Sequence, residues 1–525
     1  MPAKSLLLKA VAASTSPPRR TLASSVYFYN KGFRFPYPYH HIFTTHTKGR
    51  WIGRTLPEIF AKEFTQYTED HIEKLLESGA IKVNKGRADK HLRMRNGDLI
   101  EHSTHRHELP VTDDTIDFLH WDNDHFVVDK PASIPVHPCG HYRRASLTHI
   151  LQHEYGMEAS SLYPVHRLDR LTSGVLIIAR TQPKAKELAD QMQNQKMVKK
   201  CYLARVKGRF PGGECGDTIG QEYNIHPEAN TNLRKLLDQS GNSVSTPTAS
   251  LPNVIRVDAN MDLIDCSLRS KWHIVPRGKG KPCRTLFSLV QYNSTEDESI
   301  VMCSPITGRT HQIRVHLQSL GFPISNDPCY GPEERRREFQ DRFEYFLSDQ
   351  QRVILEQKLE EYREMERRVQ QEHEQDQAVK RQRTGDQDGN EKKIHPKSTP
   401  MSTRLPPPPT AVQILTTYPD DYLKEMHEEW QFDNPEKHVD PQCFACTLSI
   451  LPRLENDYRI HLHSLGYEVR HLRVFSKLPS WANTASQEDV DAAWNRLKTW
   501  EDDDPSYMDD IAENAGKKTW KRRRK

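Results

Sequence analysis

No stretch of this 525-residue chain approaches the roughly 20 consecutive apolar residues that a helical membrane span requires. Hydrophobic residues supply only 35% of the chain against 28% charged, and the mean hydropathy is -0.80. That is too polar for a uniformly packed globule, and predicts that a good part of the chain is loop, solvated helix or disorder. Cysteine is sparse and unframed: nine residues, an odd number, scattered from Cys139 to Cys446. This excludes a secreted disulfide scaffold and predicts a reducing compartment. Acidic residues are absent from the first 57 positions. Charge of either sign is not in excess, since 75 Lys and Arg face 71 Asp and Glu, so only its distribution is informative.

That distribution and the hydrophobic periodicity divide the chain. Residues 1–26 carry Lys4, Lys9, Arg19 and Arg20 among Ala, Ser, Leu and Thr, the composition of an organellar transit peptide; a basic disordered tail is the alternative. The opposite end closes on Lys521-Arg522-Arg523-Arg524-Lys525, a cluster read as nuclear localisation or nucleic-acid contact. The expected compartment is the mitochondrion, with cytoplasm and nucleus as the alternative. After an extension over 27–50, residues 51–111 read as a small basic module. Leu56, Ile59, Phe60 and Phe64 keep helical spacing, Thr68 is an N-cap for a second helix ending at Gly79, and short strands follow around the turns Asn84-Lys85-Gly86 and Asn96-Gly97-Asp98.

Residues 112–332 read as one α/β or α+β catalytic domain. Strands are expected over 117–121, 126–131, 175–179, 202–206, 286–290 and 299–303, and helices over 184–197 and 310–320, with an insertion near 211–260. Residues 333–410 form a charged helix followed by a disordered stretch ending in Pro406-Pro407-Pro408-Pro409. Residues 411–482 read as a folded C-terminal extension, and 483–525 as an acidic and then basic tail.

Two segments concentrate chemistry. His166-Arg167-Leu168-Asp169-Arg170-Leu171-Thr172-Ser173-Gly174 sets one carboxylate between two guanidinium groups, directly before an apolar strand. Neighbouring positive charge keeps such a carboxylate ionised, able to act as a nucleophile or to stabilise an oxocarbenium-like centre. Gly308-Arg309-Thr310-His311-Gln312-Ile313-Arg314-Val315-His316 opens a helix and gathers basic groups at one end, a setting that favours anions. Either segment alone reads equally as a salt-bridged turn or a charged helix face.

Together they resemble the two signatures of RluA-type RNA pseudouridine synthases. Asp129-Lys130-Pro131 with Pro135-Val136-His137-Pro138, Lys200-Cys201-Tyr202-Leu203-Ala204, and Pro323 to Pro328 with Tyr330-Gly331 are similar to further motifs of that family, in the same order. The resemblance implies a pseudouridine synthase catalytic domain with a mixed, mainly antiparallel sheet, preceded by an S4-like RNA-binding module. It implies that Asp169 is the essential carboxylate, that Tyr202 packs on the target base and takes part in the C5 proton step, and that Arg314 orients Asp169. Arg167, Arg170, Lys130, Arg309 and His311 are then expected at the substrate. No cofactor is expected, and the partner is RNA. Tyr27-Phe28-Tyr29-Asn30-Lys31-Gly32-Phe33-Arg34, Arg50 to Arg54 and Leu478-Pro479-Ser480-Trp481-Ala482 are similar to the tRNA pseudouridine-32 synthases of eukaryotes and fungi. They point to uridine 32 of the tRNA anticodon loop. An rRNA or other RNA substrate, an inactive RNA-binding protein of the same fold, and a retaining glycosidase are the competing readings; the last needs a second carboxylate that these motifs do not offer. Cys443-x-x-Cys446 with His461 or His463 has zinc-ligand chemistry, yet a single pair reads better as free thiols, so no metal is expected. Nothing demands an oligomer, and a monomer is the expected state.

Overall fold

The computed structural model describes residues 16–22, 26–30, 32–63, 69–193, 198–212, 243–245, 254–266, 269–275, 279–337, 458–469 and 472–499. Residues 1–15, the insertion at 213–242, the charged segment 338–457 with Cys443 and Cys446, and the basic cluster at 521–525 lie outside them, as do Phe64 and Thr68.

One 12-stranded sheet organises the chain. Its principal strands are β1 (Asp117–Trp121), β2 (His125–Lys130), β3 (Ser173–Ala179), β4 (Val198–Lys207), β5 (Ile255–Cys266), β6 (Lys281–Asn293), β7 (Glu298–Pro305) and β8 (Leu462–Val469). The spatial order is β5-β6-β7-β4-β8-β3-β2-β1, antiparallel throughout apart from the parallel pair β3/β8. The mixed, mainly antiparallel α+β architecture expected of the family is therefore present. Strand β3 reads Ser-Gly-Val-Leu-Ile-Ile-Ala and buries every position after the first. A strand enclosed on both faces has no need of polar alternation. Phe126, Val127, Val128, Ile177, Val206, Phe287 and Val301 continue the core on either side.

The place of β8 departs from the sequence expectation. Residues 411–482 read as a separate extension, but Leu462–Val469 runs between β3 and β4, where it pairs with Ser173 and Gly174 on one side and with Val198 to Ala204 on the other. Without it, β1-β2-β3 and β4-β7-β6-β5 would be two sheets. Gly174 explains how it fits: its φ is +113, and a Cβ there would stand 2.2 Å from the Ser464 carbonyl oxygen. Only glycine permits that approach. The expected insertion is likewise shorter than 211–260, because β5 begins at Ile255 inside it. The expected tail at 483–525 starts with a helix, Gln487–Lys498, capped by Ser486 and packed through Val490, Ala493, Trp494 and Leu497 against Cys201, Leu286 and Met302.

The small module also begins earlier than residue 51. Helices Leu56–Glu63 and Glu69–Glu77 pack on a sheet of Tyr39–His46, Leu99–Arg106, Ile81–Val83 and Gly86–Arg87. Asn84 and Lys85 both have positive φ, as a tight hairpin turn demands. Strand Tyr39–His46 pairs with Leu99–Arg106 along its whole length. Its mostly exposed side chains hide it from a reading based on apolar alternation.

Within 1–26, the described residues 16–22 are tied to the catalytic domain. Thr21 donates its N–H to the Glu154 carbonyl at 2.7 Å, and Arg20 donates to the Glu154 carboxylate at 2.6 Å and to the Asp113 carbonyl at 2.8 Å. Glu154 is buried and also receives Arg34 Nη2 at 3.0 Å. A buried carboxylate needs such partners.

Candidate active site

Asp169 sits in the turn just before β3. Leu168 and Leu171 on either side are buried, which pins the turn, and Thr172 closes it by donating its N–H to the Asp169 carbonyl at 3.1 Å. The Asp169 side chain between them keeps 18% of its surface exposed. The other half of the site comes from the helix α1 (Gln312–Ser319) and its approach. Gln312 ties that approach to β6: its amide donates to the Arg284 carbonyl at 2.9 Å and to Thr285 Oγ1 at 2.8 Å, while its oxygen accepts from Thr307 Oγ1 at 2.7 Å and from the Arg309 N–H at 3.0 Å.

Arg314, 4% exposed, spans two carboxylates. Its Nε and Nη2 donate to Asp327 at 2.6 and 2.9 Å, a bidentate pair, and Nη1 donates to Asp169 Oδ2 at 3.2 Å. Asp327 is fully buried and also accepts the N–H groups of Cys329 and Tyr330 at 2.8 and 3.0 Å. It is therefore the fixed end of the fork, and Asp169 takes the remaining nitrogen.

His311, in the left-handed region at φ 59, ends the approach to α1. Strained backbone of this kind persists where surrounding bonds hold it. Tyr330 Oη lies 3.0 Å from His311 Nδ1 and accepts the Trp272 N–H at 3.0 Å. The other ring nitrogen, Nε2, stands 3.6 Å from Asp169 Oδ2. Burial pushes the His311 pKa down, and with the push from Arg314 this outweighs the pull of Asp169, so the ring is neutral near pH 7. For Asp169 the balance is opposite in kind: burial alone would raise it, but His311, Arg314 and Arg167 hold it below the ordinary value. Asp327 is held down in the same way, against its burial, chiefly by Arg314.

Tyr202 projects from β4, 9% exposed, and its hydroxyl meets that of Tyr467 at 2.5 Å. Burial raises the pKa of both phenols, so both are protonated near neutrality. The His166 ring lies 4.8 Å from that of Tyr467 and accepts the Ile177 N–H at 3.2 Å. Burial drives its pKa down to about 3.

The structure thus brings Asp169, Arg314 and His311 together. Arg167 is exposed beside them, and Arg170 lies 5.2 Å from the Tyr142 ring. Arg309 is half-buried, its Nε 3.4 Å from the Pro282 carbonyl. Lys200 beside it has a pKa lowered to about 8 by burial and by the Arg309 charge. Lys130 departs from expectation. It is fully buried, and its ammonium donates to the carbonyls of Pro131, Ile134 and Arg170 at 2.7, 2.8 and 3.4 Å. Three donors are spent on three acceptors, so Lys130 fastens the Asp169 loop to the end of β2 and has none left for a substrate phosphate. Two members of the site were not assigned a place in it from sequence, Asp327 and Tyr467. The short Pro-Ile-Ser-Asn-Asp-Pro motif was the available signal for Asp327; nothing local marks Tyr467.

Among the described residues one group has metal-ligand chemistry: His120, Asp122 and His125 on the β1/β2 hairpin, with donor atoms within 4.8 Å of one another. His463 is not of this kind, because its two ring nitrogens meet Ser173 and Ser476 hydroxyls at 2.8 and 2.6 Å.

Residues 124–319 match the family described as RNA pseudouridylate synthase. Pseudouridylate synthase RPUSD2 of Mus musculus is 31% identical over 487 residues, covering 89% of this chain and 74% of the mouse protein. The chain belongs to the RNA pseudouridine synthase family. Two Saccharomyces cerevisiae members are also similar to it. The mitochondrial tRNA pseudouridine(32) synthase is 36% identical over 57% of this chain and 54% of its own length. The tRNA pseudouridine(31) synthase is 32% identical over 57% of this chain and 72% of its own length. The family match spans β2, β3, β4 and α1, so Asp169, Tyr202 and Arg314 all stand within the pseudouridine synthase segment, whereas β8 and Tyr467 lie beyond its end.

Proposed function

We propose that this pseudouridine synthase isomerises a uridine of tRNA at position 32 of the anticodon loop, with Asp169 as the essential catalytic carboxylate. The reaction breaks the C1′–N1 bond, turns the base and forms C1′–C5; C5 loses a proton and N1 gains one, so no outside reactant is consumed. The observation that carries the reading is the ionised Asp169, held through Oδ2 alone. Among the described residues no hydrogen bond reaches Oδ1, which leaves that oxygen for the ribose. Arg314 orients the carboxylate and stays charged. Tyr202 packs on the base, and its protonated hydroxyl serves the C5 step. Arg167, Arg170 and Arg309 face RNA phosphate, and His311 sits at the sugar.

A loop is a favourable target, because a base there is unstacked at low cost before it enters a pocket. The fungal relatives named for positions 32 and 31 support a tRNA substrate. The small module, with Lys82, Lys85, Arg87 and Arg93 on and around its short hairpin, serves as an S4-like RNA grip. The acid-free amino terminus and the mitochondrial relative support import. Because Arg20 and Thr21 are docked on Glu154, processing that leaves the folded body intact has to fall before them. The terminal Lys-Arg cluster favours nucleus and cytoplasm instead. The test is a pseudouridine map of tRNA treated with the purified chain and of tRNA from cells lacking it. Pseudouridine appearing at 32 and vanishing from the deficient cells is the expected result. A change at 31 instead rejects the position, and activity on rRNA alone rejects the substrate.

A further inference from the structure

We propose that Tyr467, delivered by the C-terminal strand β8, is a positioning residue that sets the direction of the Tyr202 hydroxyl during catalysis. This rests on the reading that Tyr202 acts on the target base.

The geometry begins with a bulge. Along β4 and β8, Cys201 faces Gly466, but Tyr202 faces Ser464, so Leu465 is the extra residue. Residues three apart on a regular strand point to opposite faces. The bulge cancels that parity and puts both Ser464 and Tyr467 on the face of Tyr202. Bulges re-aim side chains in this way beside active sites. The two phenol rings then meet edge to face, at 74° with centroids 6.3 Å apart, and their oxygens stand 2.5 Å from each other. Tyr467 is 2% exposed, and its ring rests on His166, in the same turn that carries Asp169.

A phenol on a strand keeps rotational freedom about its C–O bond. In a dry site the hydroxyl turns toward whatever partner is present, because an unsatisfied buried hydroxyl is costly. Tyr467 is one such partner, and Ser464, opposite Tyr202 at the bulge, bonds to both phenols. Tyr467 fixes one hydrogen-bonding direction of the Tyr202 oxygen and, with Ser464, sets how that hydroxyl is held where it feels the Asp169 charge. Holding a reacting group within a narrow angle is a source of rate. Tyr467 touches neither the ribose nor Asp169, so its influence passes through Tyr202.

The experiment is a double-variant cycle on the full chain: wild type, Tyr467→Phe, Tyr202→Phe and the double variant. The readings are the single-turnover rate of pseudouridine formation in tRNA and the Kd for that tRNA. Tyr467→Phe keeps the ring on His166 and removes only the hydroxyl. It should slow the chemical step about tenfold, the loss of one well-aligned hydrogen bond, with Kd changed less than about twofold. In the Tyr202→Phe background the same substitution should cost nothing further, because the hydroxyl it positions is gone. Tyr467→Met, measured alongside, removes ring and hydroxyl and should lower the melting temperature more than Tyr467→Phe while slowing the step no further. Wild-type speed in Tyr467→Phe overturns the proposal. Penalties that multiply in the double variant also overturn it, since they signify packing and not positioning. If Tyr202→Phe itself runs at the wild-type rate, the role of the Tyr202 hydroxyl falls and the positioning role falls with it, while pseudouridine formation by the wild type keeps the reaction standing. No pseudouridine from the wild type on any RNA rejects the reaction itself.

Discussion

Replacing Arg314 by lysine isolates orientation from charge. Lysine keeps the positive charge that Asp327 needs, but a single ammonium cannot reach both Asp327 oxygens and Asp169 as the planar fork does. The contact surrendered first is the 3.2 Å bond from Nη1 to Asp169, because Asp327 is fully buried and will hold the ammonium. A hydrogen bond to a charged group contributes roughly 1.5–3 kcal/mol. If that energy serves to hold Asp169 in its productive direction, the rate of the chemical step should fall about ten- to a hundredfold. A second bond, one of the two from the guanidinium to Asp327, is lost from the native state at every stage of the reaction. It should appear as about 2 kcal/mol of stability and a lower melting temperature. RNA affinity should not change, since Arg314 is 4% exposed and out of reach of phosphate. The assay is single-turnover pseudouridine formation beside filter binding and thermal unfolding. A variant with wild-type turnover but the predicted loss of stability would refute the orienting role and leave Arg314 a structural strut between two loops.

Asp169→Asn should abolish product while tRNA binding persists; residual turnover within tenfold of wild type would remove Asp169 from the chemistry. Gly174→Ala should disrupt the β3/β8 pair, because the new Cβ falls 2.2 Å from the Ser464 oxygen, and the variant should recover poorly as soluble protein; normal yield and melting would contradict the close approach. Acid titration should reveal Asp169 and Asp327, whose folded pKa values lie below the ordinary 3.8. Their contribution to stability is complete above about pH 5 and is lost as pH falls through the depressed folded values. Denaturant midpoints from pH 7 to pH 3 measure it, and Asp327→Asn should flatten the acid end of that curve.

The Asp169 and Arg314 constellations were legible because each is continuous in sequence, a run of charged residues set against an apolar strand or the first turn of a helix. Local order was enough to find β2, β3, β4, β6 and β7, whose apolar runs are short and bounded by turns. What was not legible depends on pairing between distant segments. The position of β8 rests on a parallel contact only two residues long at Ser173 and Gly174, and such a contact has no local signature. Asp327 joins Arg314 through a loop fold, not a spacing. Lys130 shows the converse error: a lysine in a motif near the catalytic loop invites a substrate contact, yet its surroundings are three carbonyl oxygens. The bulge at Leu465 reverses strand parity and so misleads any alternation-based assignment of faces. The left-handed backbone of His311 is set by Gln312 and Tyr330, neither of which announces it in sequence.

The joint made by β8 has a consequence for how the enzyme comes into being. A ribosome emits residues in order, at roughly 5–20 per second. By arithmetic on the strand ends, about 255 residues separate Lys207 from Leu462, so β3 and β4 wait on the order of 13 to 50 s for the strand that joins them. During that interval each half exposes an apolar edge with unpaired N–H and C=O groups, the condition that invites wrong partners. Asp169 belongs to one half, Tyr202 and Arg314 to the other. A nascent chain arrested between residues 331 and 458 therefore carries the whole catalytic signature and has no strand to bring its parts together. Such fragments should be found with chaperones, and supplying residues 458–499 in trans should restore pseudouridine formation to a chain that stops short of them.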